Sequence, residues 1–402
     1  MLLSPARKLA ITLVATLALT ACSDPDDDPN QDTDLNQETD LNQDTDLNQP
    51  SLQGWTILTH PCAGHRTDAL HCDDHLTCFV GCGTTTQGAQ GLYQTTDGGE
   101  TWARPSTNPP DVLNAARVND ISRSSDGLLY IAGELTGPTR VASLAPNGDL
   151  EIVWDRGTTT DFSFTAGQFR RSDTGRAIAN SQTGVDLVYR SSDLDDWESG
   201  RGFWSDGDDD DVPQGVQFLR LQTLGDDFYG VGSTISQPPM VFLPKWTGDD
   251  FDFHILPLAA DGLGAFTGEL WDLSVTEDFL LAGGVNQSQN LGVLFIHPMG
   301  SGDPTTTDAW NLFDVGHLFP EHTTWIQGVC QANGVLYAVG RESSQSWGFV
   351  LRSDDGGESF TDISPYADGA TASELSDAYR CHATESGVIV AGADGMFAVF
   401  DD

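Results

Sequence analysis

The feature that most restricts this chain is a spaced repetition of short strands. Runs rich in β-branched and aromatic residues recur at Leu76 to Gly81, Leu128 to Gly133, Arg176 to Asn180, Phe228 to Gly232, Phe279 to Gly283, Val335 to Gly340 and Val388 to Gly392. Turn formers such as Asp126-Gly127 and Asn333-Gly334 precede them, which is strand-and-turn chemistry. No stretch keeps a 3.6-residue apolar period. Aromatic residues follow in step, at Trp102, Trp154, Trp197, Phe253, Trp310 and Phe360. A unit of roughly 40–57 residues made of short strands buries its faces by stacking on its neighbours around an axis. The sequence therefore predicts an all-β, seven-bladed β-propeller over residues 51–402, with six or eight blades as the neighbouring alternatives.

The last repeat ends at Phe400-Asp-Asp402 with no outer-strand aromatic. The missing pattern stands at the other end, as Gly54-Trp55-Thr-Ile-Leu58. An open ring would expose two unpaired sheet edges. The strand around Trp55 is therefore expected to pair with the strand ending at Phe400 and close the ring.

The N-terminus has a targeting pattern. Arg7 and Lys8 precede an apolar run from Leu9 to Thr20, of signal-peptide length and short for a bilayer span. It ends in Leu19-Thr20-Ala21-Cys22, which resembles the bacterial lipobox. That resemblance implies a signal peptide over 1–21 and a lipid anchor on Cys22, with Ser23 favouring the outer membrane. Residues 22–50 repeat a hexamer around Asp32 to Gln37, Glu38 to Gln43 and Asp44 to Gln49. With many carboxylates and few large apolar residues, this tract is expected to be a disordered acidic tether.

The formal net charge is −42, from 18 Lys+Arg against 60 Asp+Glu. Such a field repels nucleic acid and anionic membrane surfaces. With only Lys8 and Lys245 as lysines, it also fits a surface adapted to salt. Apart from Cys22 there are six cysteines, Cys62, Cys72, Cys78, Cys82, Cys330 and Cys381. An even number in an exported chain predicts disulfides, and Cys-x5-Cys-x3-Cys is not a standard zinc spacing. Cys330 is expected to pair with Cys381, and the four cysteines between 62 and 82 among themselves in an open order. No cofactor is expected. Alternating carboxylates at Asp206, Asp208 and Asp210 make a weak Ca²⁺ candidate, since the hard ion takes oxygen ligands; a solvated acidic loop is the plainer reading.

Two octapeptides share the pattern Ser/Thr-x-Asp-x-Gly-x-Thr/Ser-aromatic: Thr95 to Trp102, with Asp97 and Gly99, and Ser353 to Phe360, with Asp355 and Gly357. Ser191 to Trp197 is a shortened version, and Asn147 to Asp149 and Thr247 to Asp249 occupy matching turns. The pattern resembles the Asp-box, or BNR repeat, of sialidases, sortilin-type receptors and photosystem-assembly propellers. That resemblance implies a propeller in which Asp97 and Asp355 cap turns and Trp102 and Phe360 pack between sheets. It implies no activity. The early Arg-Ile-Pro motif of sialidases is absent here, and no other catalytic motif stands out.

Candidate binding residues lie near the inner strands: Arg117, Arg170, Arg220, Trp271, Asp272, Trp325 and Arg380. Aligning inner strands on Cys72, Ser122, Gln222, Ser274, Cys330 and Cys381 puts Leu70, Asp120, Arg220, Asp272, Gly328 and Tyr379 in one column. Arginines there would either bind an anion at the channel mouth or pair with carboxylates of neighbouring blades, Arg220 with Asp272 and Arg170 or Arg171 with Asp120. Trp271 and Trp325 would offer aromatic faces to a sugar or peptide. The expected function is a non-enzymatic lipoprotein of the bacterial outer membrane or cell surface that binds a protein or glycan partner. The alternatives are a sialidase-like glycoside hydrolase and a structural envelope protein.

Overall fold

The computed structural model describes residues 54–401 apart from 84–89, 136–139, 156–165, 182–187, 205–216, 234–239, 258–266, 367–371 and a few shorter gaps: 63, 111–112, 115–116, 201–202, 248–249, 303, 305 and 345. Cys22, the hexamer tract, the carboxylates Asp206, Asp208 and Asp210, and the turn at 248–249 therefore lie outside the described residues. Those described are all-β, with only three single-turn 3-10 segments. They form seven sheets, numbered here one to seven in chain order, antiparallel except that the short strand Phe203–Trp204 runs parallel to Asp250–Pro257 in sheet four. The architecture is a β-propeller.

The innermost strands are Thr67–Cys72, Arg117–Arg123, Ala166–Arg171, Gln217–Leu224, Gly268–Val275, Thr324–Ala332 and Ala378–Thr384. Each touches the next, and the last touches the first, so they enclose a central channel. The apolar runs of the sequence are the second strands. In sheet one that strand is Cys78–Cys82 rather than Leu76 to Gly81. Asp74 accepts the backbone N–H groups of Leu76 at 2.8 Å and Thr77 at 2.6 Å, which holds both residues in the turn.

Apolar clusters lie between sheets. One, from sheets five and six, contains Leu281, Leu294, Ile326, Phe349 and Phe360. Another joins sheets seven and one through Val80, Tyr93, Ile389 and Phe397. Phe360 packs on Phe313 at 4.7 Å between ring centroids, and Trp102 on Phe397 at 5.1 Å.

The two octapeptide turns are built identically. The Asp97 carboxylate accepts from the Thr101 N–H at 2.9 Å and its hydroxyl at 2.5 Å, while the Thr95 hydroxyl accepts from the Gly99 N–H at 2.9 Å. Asp355 accepts from Ser359 N–H at 3.0 Å and hydroxyl at 2.6 Å, and Ser353 receives the Gly357 N–H at 2.8 Å. The Thr101 and Ser359 hydrogen bonds stabilise the ionised form and hold each carboxyl at about 2. Gly357 has φ +91°, and a Cβ there would stand 2.5 Å from Ile296 of sheet five. The turn thus needs glycine for its backbone and for close packing.

Sheet seven takes its outermost strand from the start of the domain. Trp55–Thr59 pairs with Met396–Asp401, and Trp55 lies opposite Phe400. His60 fastens the joint. Its Nδ1 accepts the Cys62 N–H at 3.1 Å, so the proton of the neutral ring sits on Nε2. Nε2 is 2.8 Å from the Thr67 hydroxyl, which donates onward to the Gly392 carbonyl at 2.8 Å. Burial pushes the His60 pKa down to about 4. The unfolded chain binds this proton near pH 6.5, so the neutral ring stabilises the fold fully above that pH, and the contribution disappears as pH falls toward 4. Relative to His60→Gln, the wild type should lose melting temperature between pH 6.5 and 4. Parallel melting curves for the two proteins across that window would contradict this role.

Candidate functional site

Each inner strand carries a β-bulge; in sheet three the extra residue is Gly167, opposite the Asn180–Ser181 step of its partner strand. Just past the bulge, the pairing registers align Ala69, Asp120, Gln168, Arg220, Asp272, Gly328 and Arg380. This corrects the sequence alignment at both ends of the ring. Ala69 replaces Leu70 and Arg380 replaces Tyr379, because Cys72 and Cys381, the anchors of that alignment, stand three places and one place past the ring position instead of two; Asp68 and Tyr379 are the extra residues of their bulges. Cys330 accordingly matches His382 in register, one place past Cys381. The disulfide still forms, crossing from sheet six to sheet seven with Cα atoms 5.8 Å apart. The remaining bridges are Cys62–Cys82 and Cys72–Cys78.

This aligned ring is a mesh of contacts between sheets. Asp120 receives both Nη groups of Arg170, Nη2 at 3.3 Å, and also Arg220 at 3.3 Å. Arg220 donates from Nε to Asp272 at 2.6 Å. The same carboxylates take backbone N–H groups of the following sheet, Phe169 at 3.2 Å and Val329 at 3.0 Å. Gln168 does the same as an amide, accepting from Leu221 and donating to the Leu219 carbonyl at 3.1 Å. Burial opposes the charge of Arg220, but Asp272 and Asp120 raise its pKa overall. Arg170, Arg220 and Asp272 are therefore committed to one another's sheets. Arg171, the neighbouring alternative, pairs with Asp126 instead.

The mouth at the N-terminal ends of the inner strands is aromatic and charged. Trp271 and Trp325 stand 5.4 Å apart, inclined at 60°. The Arg341 guanidinium lies 4.3 Å above the Trp325 ring and pairs with Asp377 at 3.2 Å. Tyr379 donates to Asp377 at 3.3 Å and carries Arg66 over its ring at 4.9 Å. Trp271 donates to Glu269 at 2.8 Å. Among the described residues, Trp325 Nε1 and Asp377 Oδ1 have no hydrogen-bond partner. Arg117 stands on this rim between Asp68 at 3.7 Å and Glu134 at 3.8 Å. The sequence reading missed Arg66, Arg341 and Asp377. Tyr379, placed in the inner column by the sequence, is instead the extra residue of its bulge; Asp377 precedes its strand and had no pattern to mark it.

At the opposite end the channel widens into a cavity of about 320 Å³, lined in part by Arg380, Gln222, Ser274, His71 and His382. The two imidazoles, from sheets one and seven, meet edge to face at 5.8 Å. Burial, then the His71 ring, hold the His382 pKa down to about 4, so His382 is neutral at pH 7. Among the described residues, no group of three or more His, Cys, Asp or Glu side chains is placed to hold a metal ion.

No protein-family profile matches the sequence. No curated protein matches it either. Solved structures do share the fold. The virginiamycin B lyase of Staphylococcus aureus, in its selenomethionine form, superposes with a TM-score of 0.57 at 12% identity, over 87% of this chain and 99% of that one. A catalytically inactive variant of the same lyase, with quinupristin, gives 0.56 at 12%, over 86% and 97%. The extracellular domain of the BT4673 one-component system protein of B. thetaiotaomicron gives 0.52 at 14%, over 86% of this chain and 40% of that chain. At these identities the likeness shows architecture alone.

Proposed function

We propose that the chain is a lipid-anchored protein of the bacterial cell surface or outer membrane whose propeller binds a glycan at the Trp271–Trp325 mouth without cleaving it. The tilted tryptophan pair carries this reading. Both rings are partly exposed, and the apolar C–H face of a sugar suits the negative face of an indole. Glu269, Arg341 and Asp377 stand beside them to take hydroxyl groups, the pattern of an apolar surface with a few convergent polar groups. The turns around Asp97 and Asp355 support the Asp-box reading of the propeller.

A sialidase-like reaction has less to work with. Glycoside hydrolysis needs two carboxyl groups free to face one bond. Asp120 and Asp272 are occupied by arginines and backbone N–H groups. The lipobox at Cys22 supports the anchor, and an extracellular bacterial neighbour fits that address. Among the described residues no helix is long and apolar enough to cross a membrane.

The test is an oligosaccharide panel read by intrinsic tryptophan fluorescence. Trp271→Ala and Trp325→Ala should each weaken the best binder about tenfold, given about 1.4 kcal/mol for a stacked aromatic contact. Binding of peptides with no glycan response, or full affinity in both variants, would overturn the assignment. For the anchor, a palmitate analogue should label the wild type and leave Cys22→Ser unlabelled.

A further inference from the structure

The cavity at the far end of the channel has a chemistry of its own. We propose that it binds a small organic carboxylate, held by Arg380. Three guanidiniums, those of Arg170, Arg220 and Arg380, meet two carboxylates, Asp120 and Asp272, in this part of the channel. Both carboxylates are spent on Arg170 and Arg220. Arg123 also reaches the cavity wall, but Asp73 takes its charge. Arg380 has only carbonyl oxygens: Asp68 at 2.8 Å, Gln327 at 2.9 Å and Tyr379 at 2.8 Å. Those bonds use Nε and Nη1. Nη2 has no hydrogen-bond partner among the described residues, and Arg380 is part of the cavity lining. Carbonyl dipoles orient a guanidinium without neutralising it, and a charge deep in a protein calls for a counter-charge.

Two further lining residues have donors to spare. Gln222 uses Oε1 to accept from Arg170 at 3.3 Å, which leaves its N–H groups for the cavity. The Ser274 hydroxyl lines the same space and makes no bond among the described residues. A guanidinium N–H, an amide and a hydroxyl, supplied to one cavity by three sheets, are the donor types that the two oxygens of a carboxylate take. Leu70, Val275 and the Cys330–Cys381 bridge supply an apolar wall beside them. That wall suits the carbon end of an organic acid and gives nothing to a bare inorganic ion. A cavity of about 320 Å³ admits a small molecule and excludes a polymer.

The test uses the mature protein, with calorimetric titration and melting curves in sodium acetate and sodium chloride at one ionic strength. Acetate should bind once per chain and raise the melting temperature saturably; chloride should do neither. Arg380→Lys keeps the charge and loses the planar fork, and should weaken acetate binding about tenfold. Ser274→Val removes a hydroxyl that supports no other contact and should cost about fivefold; it decides the matter if Arg380→Lys does not fold. Trp271→Ala should leave acetate binding unchanged, which separates this site from the glycan mouth. Equal effects of chloride and acetate, no saturable acetate binding, or unchanged affinity in Ser274→Val and Arg380→Lys would each overturn the proposal.

Discussion

Replacing Trp55 with alanine should lower the unfolding free energy by about 3–5 kcal/mol, and deleting residues 54–60 should lower it further. The indole is 8% exposed, lies 5.2 Å from the Phe400 ring and donates to the Ile363 carbonyl of sheet six at 2.7 Å. The substitution leaves a cavity where sheets six and seven meet and orphans a carbonyl. The deletion also removes the ladder to Met396–Asp401 and the His60 link to sheets one and seven. Sheet seven would then end in a bare edge strand, so aggregation should accompany the loss. Denaturant titration of the wild type, Trp55→Ala and the deletion gives the comparison. A truncated protein that unfolds at the parent's midpoint would mean that the ring is held shut elsewhere.

The second large effect concerns the channel's ion pairs. Arg220→Met should cost about 3–5 kcal/mol, because among the described residues it leaves the buried Asp272 with the Val329 N–H as its one remaining hydrogen bond. Asp120 suffers less, since Arg170 remains. Adding Asp272→Leu to Arg220→Met should recover much of the loss, since the uncompensated charge is then gone. The two substitutions should therefore be strongly non-additive. Simple additivity in the double-mutant cycle would show that the pair is not coupled as its geometry implies.

Legibility in the sequence followed the strength of local rules. The repeat and its closing strand were readable because turn formers and the outer-strand aromatics recur at each unit, and Trp55 has the pattern that Phe400 lacks. The Arg220–Asp272 pair was readable because opposite charges fell at one offset on neighbouring strands; Arg170 stands two places past the ring position held by Gln168, which left the partner of Asp120 open between Arg170 and Arg171. The ring slips by one residue in sheets one and seven because Cys72 and Cys381 do not stand two places past the ring position, as Ser122, Gln222, Ser274 and Cys330 do. Asp68 and Tyr379 look like ordinary strand positions until the ladder is seen. The two ends of the channel could not be told apart, so Trp271 at the mouth and Arg380, which stands in the aligned ring and lines the far cavity, fell into one group. His382, Gln168 and Asp377 each stand alone in sequence, and only the closed circle brings them to their partners.

The closing strand also determines how the domain meets mechanical load. Any pull on the chain ahead of residue 54 enters at Trp55, the first paired residue of the outermost strand. Force applied there peels the ladder one rung at a time, which resists far less than shearing all rungs together. The peel can run past Thr59 and His60 and then meets the covalent bond from Cys62 to Cys82, which anchors the chain in sheet one. Under oxidising conditions a tug should free only this short leader and leave the remaining sheets standing, and the leader can re-zip when the tension drops. Under reducing conditions that stop is gone, and the same tug continues into the first inner strand.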